Sequence, residues 1–314
     1  MASSPVKVGL HVPAASTGQL PSGAQYIEFF KQAEALGYDS LWTEDRVFHD
    51  ANFLESLTLL SWAAASTERI QLGTAVLLLT LRNAPALARQ VSTMDHLSGG
   101  RLNLGISIGG RPNEYPGLGM RESSRVARLR ENIAVLKQLL TGESVAYEGR
   151  FYQLDEAIVR PAVNRPGGVP MYMGGRVDAA LRRAAELTDG WIGGPFSPAE
   201  DYRTSLATVH EYAKGFGRDP ANMEAGKLIY VSVDDDKERA LATLKPFIAD
   251  YYGPRIDIAE HGVYGPPDEV AAQLRDFVDA GVNTFMLGVP ALDIDHIERI
   301  AKEVVPRLSL DPGS

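Results

Sequence analysis

The chain has 314 residues, 45% of them hydrophobic and 8% aromatic, with no low-complexity tract; it can bury a large core, and disorder throughout is excluded. Its 31 Lys and Arg face 40 Asp and Glu, a formal charge of -9 that makes nucleic acid and anionic membrane poor partners. Cysteine is absent, which removes structural disulfides, thiolate metal sites, iron–sulfur clusters and a Cys nucleophile.

Met1 to Pro5 form no basic apolar leader, and no apolar run reaches the ~18 residues of a membrane span, so a soluble cytoplasmic protein is expected. The first strand is expected over Val6 to Val12, then a helix from Gly23 to Leu36 that Gly37 terminates, then a strand from Ser40 to Trp42. A helix over Leu54 to Ser66, a strand over Ile70 to Val76, a helix over Ala84 to Leu97 and a strand over Arg101 to Ile108 follow through short connections. Residues 109 to 124 crowd Gly109, Gly110, Pro112, Pro116, Gly117 and Gly119 together, which predicts a long loop without regular helix. Beyond it come a helix from Arg125 to Leu140 and a small hairpin from Val145 to Leu154 around Glu148 and Gly149. The rest reads as strand Val169 to Met173, helix Ala179 to Leu187, strand Trp191 to Ile192, helix Pro198 to Gly215, strand Lys227 to Val233 and helix Lys237 to Tyr251. A second irregular insertion, Gly253 to Pro267, precedes helix Asp268 to Ala280, strand Thr284 to Leu287 and a closing helix, Asp295 to Val304.

Eight βα units in one 314-residue domain predict an α/β fold, a (β/α)8 TIM barrel with insertions after strands 4 and 7 and a small hairpin between helix 4 and strand 5. The doubly wound sheet is the alternative. Barrel chemistry sits at the carboxyl ends of the strands, where this chain carries His11; Glu44, Asp45 and Arg46; Thr74, Ala75 and Val76; Ser107, Gly109 and Gly110; Gly174, Gly175 and Arg176; and Gly193 and Gly194. The glycines admit a flat or anionic ligand against the backbone, although βα turns also use glycine for positive φ alone. None of the six histidines stands two or four residues from another, so no metal site is expected. His11 is the best candidate for proton transfer, with a hydrogen-bonded structural imidazole as the other reading. Trp42, Tyr115, Tyr172, Trp191 and Phe196 are candidates for an aromatic wall. Gly105-Ile-Ser-Ile-Gly109 matches the G-x-S-x-G elbow of serine hydrolases, but the prolines and glycines that follow deny Ser107 the helix it needs.

The run Ile70-Gln-Leu-Gly-Thr-Ala-Val76, continued through Leu81 to Pro85, Ser98-Gly-Gly-Arg101, Leu104 to Gly109, Pro170-Met-Tyr-Met-Gly-Gly175 and Asp189-Gly-Trp191, resembles the bacterial-luciferase-like flavin-dependent oxidoreductases from about residue 5 to 305. The resemblance implies a homodimeric barrel that binds FMN, or the deazaflavin F420, at the strand ends. It implies a non-prolyl cis peptide at Ala75–Val76 against the flavin ring and a cofactor phosphate on the amides of Gly175, Arg176 and Val177. Three departures stand out. Ile108 occupies the point where some members place a basic residue for the phosphate, leaving Arg111 or Arg176 to serve. Asp45-Arg46 replaces an acid–His pair, and a guanidinium cannot act as a general base near pH 7, although it stabilises an anion. Gly110 also stands where F420-dependent dehydrogenases tend to carry a Glu.

The leading expectation is therefore a monooxygenase that uses reduced FMN, supplied by a separate reductase, and O₂ on a small organic substrate, with His11, Asp45 and Arg46 as its catalytic residues. An F420-dependent reductase or dehydrogenase is the alternative. A serine hydrolase using Ser107 and a flavin-binding protein without catalysis are the readings from other classes. The segments Gly109 to Ser124 and Gly253 to Pro267 are expected to close over the ring as a lid.

Overall fold

A computed structural model of the chain describes residues 6–16, 18–253 and 256–308. Eight parallel strands, β1 (Lys7–His11), β2 (Ser40–Thr43), β3 (Gln71–Leu78), β4 (Leu102–Ser107), β5 (Met171–Gly174), β6 (Gly190–Gly193), β7 (Glu224–Val233) and β8 (Thr284–Gly288), pair in chain order. The pairing of β8 with β1, at Lys7↔Thr284 through His11↔Gly288, closes the sheet into a barrel. Outside it lie α1 (Gly23–Ala35), α2 (Ser56–Ser66), α3 (Ala84–Ser98), α4 (Arg125–Leu139), α5 (Asp178–Leu187), α6 (Ala199–Gly215), α7 (Lys237–Tyr252), α8 (Pro267–Asp279) and α9 (Ile294–Arg299). The (β/α)8 expectation holds.

Local sequence explains where elements start and stop. Ser22 and Gln25 cap α1 reciprocally, the Ser22 N–H donating to Gln25 Oε1 at 2.9 Å and the Gln25 N–H to Ser22 Oγ at 3.4 Å. Its buried stripe is Tyr26, Phe29, Phe30 and Ala33, the spacing that turns one face of a helix to the sheet. Fully burying each Phe contributes ~1.5–3 kcal/mol. Gly37 and Gly99, at φ 85 and 70, stop α1 and α3 in the left-handed region that costs glycine nothing.

Alternation along each strand sorts the core into two layers. Leu10, Leu41, Leu72, Leu104, Ile229 and Leu287 face outward to the helices, while Trp42, Ala75, Ile192, Leu228 and Met286 fill the barrel. The Trp42 indole needs glycine neighbours: a Cβ on Gly73 would come within 2.2 Å of its ring, and one on Gly9 within 2.9 Å of Nε1.

Three expectations change. The 109 to 124 loop does hold a helical turn, Glu114–Gly117, because the buried Glu114 carboxylate accepts the N–H groups of Val47, Phe48 and Arg111 and ties this loop to the one after β2. The second insertion starts after α7 and supplies a ninth strand, Val263–Gly265, which pairs with the top of β7; Pro254 and Arg255 of that segment lie outside the described residues. The closing helix keeps α-form only to Arg299 and then widens into a π turn over Ile300–Val304. The expected hairpin is present as Val145–Glu148 paired with Gln153–Ala157. Among the described residues no helix is long and apolar enough to cross a membrane.

Candidate active site

Inward positions recur every second residue, so Gly9 and His11 on β1, and Ser40, Trp42 and then Glu44 beyond β2, point along the barrel axis. At the mouth His11 Nε2 lies 2.9 Å from Glu44 Oε2, with side chains only 2% and 9% exposed. The approach is too far off line for a hydrogen bond, and His11 Nε2 and both Glu44 oxygens have no other partner among the described residues. Thr43 Oγ1, Arg46 Nε and His49 Nε2, in the same stretch of chain, are buried and equally unpartnered. Buried polar atoms are normally satisfied, so these bare ones are open to a polar ligand or to water.

Tyr230, at the inward end of β7, meets His11 edge to face at 6.3 Å. Gly288, paired with both His11 and Tyr230, makes room for that ring, since a Cβ there would lie 2.5 Å from Tyr230 Cδ1. The Tyr230 and Tyr252 hydroxyls are 2.8 Å apart, and burial holds both well above the ordinary phenol value. Tyr251, at the same end of α7, stacks on His49 at 5.3 Å, and the Arg46 guanidinium lies against its hydroxyl.

Asp45 points the other way. Its Oδ1 accepts from Arg82 Nη2 at 2.8 Å and its Oδ2 from the Leu78 N–H at 3.0 Å, while Arg82 also reaches Glu55 at 2.9 Å. Burial pushes the Asp45 carboxyl up, against the pull of Arg82 and the Leu78 N–H. This residue anchors the top of β3 and stands away from the mouth. The neighbouring Glu44 takes the inward place beside His11, a role that strand alternation alone could have assigned.

The bulge of β3 lies between Thr74 and Leu77, and the Ala75–Val76 peptide is cis, where the family resemblance puts it. Thr74 Oγ1 donates to the Gly105 carbonyl at 2.7 Å and is part of the sheet. Ala75 and Val76 join Trp42 and Tyr172 in the apolar floor of the mouth. Ser107 accepts the Gly109 N–H at 3.2 Å, and only short turns at Glu114–Gly117 and Glu122–Ser124 precede α4, so the hydrolase elbow lacks its helix. Gly110 sits at φ 100 and Arg111 is exposed. A Cβ on Gly109 or Gly174 would come within 2.5 Å of Leu78 or 2.9 Å of Val76, whereas Gly194 has open space around it. Gly193 leaves room for Tyr202. Gly175 (φ 141) leads through the exposed Arg176 and Val177 into α5, whose N-terminus no side chain caps. These residues fit a flat ring over the floor with an anionic tail at α5.

Of the expected aromatic wall, Trp42 and Tyr172 form the floor and Phe196 packs on Tyr252 at 4.7 Å. Trp191 instead faces the helices and donates to the Gly175 carbonyl at 2.7 Å, and Tyr115 packs on Leu78 and Leu81 in the loop after β4. Lys227, fully buried behind β6, donates to Gly194 O, Ser197 O and Ser197 Oγ at 2.6–3.0 Å and pins the loop after that strand. Beside the mouth opens a cleft of about 300 Å³ between Ala15, Ala51, Pro246, Phe247, Tyr251 and Ala291, with no charged side chain in its lining. Among the described residues no cluster of His, Asp or Glu can hold a metal.

The family model of luciferase-like monooxygenases matches residues 5–262. The F420-dependent glucose-6-phosphate dehydrogenase of Kineococcus radiotolerans is 31% identical over 97% of this chain and 97% of its own length. The solved F420-dependent secondary alcohol dehydrogenase, in complex with an F420–acetone adduct, superposes with a TM-score of 0.85 at 22% identity, covering 98% of this chain and all of that one. The FMN complex of the oxygenating constituent of 3,6-diketocamphane monooxygenase from Pseudomonas putida gives 0.80 at 19% identity, over 98% and 100%. At those identities the two structures establish a shared fold.

Proposed function

The chain belongs to the luciferase-like monooxygenase family, and on that premise we propose that this oxidoreductase is F420-dependent and moves a hydride between the deazaflavin and a small organic substrate. What carries the choice of cofactor is a relative named for F420 that matches nearly end to end at 31% identity. The acid–base pair of His11 and Glu44 at the mouth supplies the proton handling such a transfer needs. F420 would bring a ring carbon that accepts or returns the hydride, held over the Ala75–Val76 bulge with its phosphate at Gly175 to Val177. His11 Nε2 takes the proton of a substrate hydroxyl as the carbon beside it loses hydride, and gives it back in the reverse direction. Glu44, 2.9 Å away, stabilises the imidazolium. Tyr230 and Tyr252 keep bulk water from that edge.

The sugar phosphate of the relative's name does not carry over. The Glu that F420-dependent dehydrogenases tend to place after strand 4 is Gly110 here, at φ 100, where a Cβ would lie 3.2 Å from Tyr115 and Leu81. The cleft beside the mouth has an uncharged lining and offers a sugar phosphate no cation. Oxygenation with reduced FMN is the second reading, favoured by the fold shared with an FMN-bound monooxygenase. Anaerobic mixing with oxidised F420 and a panel of secondary alcohols should bleach the deazaflavin band. Oxygen uptake with reduced FMN, and no F420 turnover on any substrate, would replace this reading with the second.

A further inference from the structure

The cleft of about 300 Å³ beside the mouth is walled in part by the chain that leaves β1 and β8. Ala15 and Ser16 come just after His11 in the chain, and Pro290 and Ala291 just after Gly288, the residue that pairs with His11. Yet neither His11 nor Glu44 nor Tyr230 lines the cleft. Two rings of α7 have the cleft on one side and the mouth on the other. Phe247 and Tyr251 stand one helical turn apart, and their rings lie parallel, with 1° between their planes and 6.0 Å between their centroids. Both line the cleft. Toward the mouth, Phe247 meets Tyr230 at 5.5 Å, Tyr230 meets His11 at 6.3 Å, and Tyr251 stacks on His49 at 5.3 Å. The polar side chains in the lining are the hydroxyl-bearing Ser16, Thr243 and Tyr251, so an alkyl chain could enter without stranding a charge.

We infer that Phe247 and Tyr251 set the upper size of the substrate: their rings close the cleft off from His11, and smaller side chains there turn the cleft into the seat of an alkyl arm whose alcohol or ketone carbon stays at His11. The reaction named here rests on the F420 reading, whereas the partition belongs to this chain's own rings. A short secondary alcohol fits on the His11 side of the partition. A long one must leave its arm in water or displace a ring, and it forgoes the burial of each methylene, worth about fourfold in affinity per group. Selection by the size of an apolar pocket is gradual, so the long substrate is disfavoured rather than refused.

The test compares isopropanol with methyl hexyl carbinol as reductants of F420, and acetone with methyl hexyl ketone in calorimetric titrations without cofactor, in the parent and in Phe247→Ala. The parent should favour the short alcohol in kcat/KM. Phe247→Ala should raise the ratio of long to short at least about tenfold, mainly through KM, and leave kcat on isopropanol within about twofold. It should also bind methyl hexyl ketone at least about tenfold tighter than the parent does. Tyr251→Leu repeats the comparison if Phe247→Ala does not fold. A ratio that stays at the parent's value would overturn the inference while leaving the F420 reading intact. Absence of F420 turnover on every alcohol, beside the expected gain in ketone affinity, would overturn the F420 reading and leave the partition standing; absence of both would overturn both.

Discussion

The two halves of the barrel mouth are built on opposite plans. From β4 to β6 the rim is Gly109, Gly110, Gly174, Gly175, Gly193 and Gly194, with arginines outside it, so what it offers a ligand is backbone N–H groups, space and positive charge. From β7 through β8 to β2 it is Tyr230, His11 and Glu44 under Tyr251 and Tyr252, an enclosed set of ionisable and aromatic side chains. Binding a cofactor that many enzymes share is a task for the backbone, and handling one substrate's proton is a task for side chains. Gly288 joins the two plans, since it is a glycine whose use is to seat the Tyr230 ring beside His11.

The largest expected effect separates the halves. Glu44→Gln keeps the shape of the site but removes the charge beside His11, and turnover should fall about 10³-fold, near 4 kcal/mol of barrier, with cofactor affinity within about twofold of the parent. Steady-state kinetics with a ring-fluorescence titration checks both; retained turnover would mean that the aromatic half holds no proton machinery.

Asp45→Ala comes next, and its effect is on stability. The Asp45 side chain is 1% exposed and leaves Arg82 with Glu55 as its remaining partner, so urea unfolding should show a loss of about 3 kcal/mol. A turnover loss at unchanged stability would put Asp45 into the chemistry after all.

How far the sequence could be read follows the same division. The alternation of strands and helices, the stop at Gly37 and the glycines at the ends of β4 to β6 are local signals, and each lies where the sequence predicts it. Glu44 was legible but competed with Asp45; two-residue periodicity from Ser40 and Trp42 decides between them, and an acid–His pattern does not. Tyr251 and Tyr252 gave no local signal. They enter the site because α7 ends over the mouth and lays its last turn on Tyr230 and His49, which is a tertiary fact. The turn at Glu114 was hidden by Pro116 and Gly117, and what forms it is a carboxylate satisfied by N–H groups from a loop about 65 residues earlier in the chain.

Below the mouth both halves rest on the same packing. Gly73→Ala puts a Cβ 2.2 Å from the Trp42 ring, on which the floor for both halves depends, and should cost about 2 kcal/mol in the same unfolding assay. The smallest effect, per unit of pH, is a slope of at most about 1.4 kcal/mol. Burial lowers the Lys227 ammonium to about 7 from 10.5, so between those values the unfolded chain holds a proton that the folded protein has released, and stability should rise with pH across that window. Lys227→Met should flatten the rise, and an unchanged slope would assign it to other groups.

The division of labour is tested most directly by two numbers from one preparation, the dissociation constant for F420 and the single-turnover rate of hydride transfer, in His11→Gln and in Gly174→Leu. His11→Gln should lose at least 100-fold in rate and bind F420 within about twofold of the parent. Gly174→Leu, which fills the place between β5 and Val76, should lose at least tenfold in affinity and keep its rate at saturating cofactor. If both variants lose rate and affinity together, or if His11→Gln transfers hydride as fast as the parent, the two halves of the mouth do not divide the work in this way.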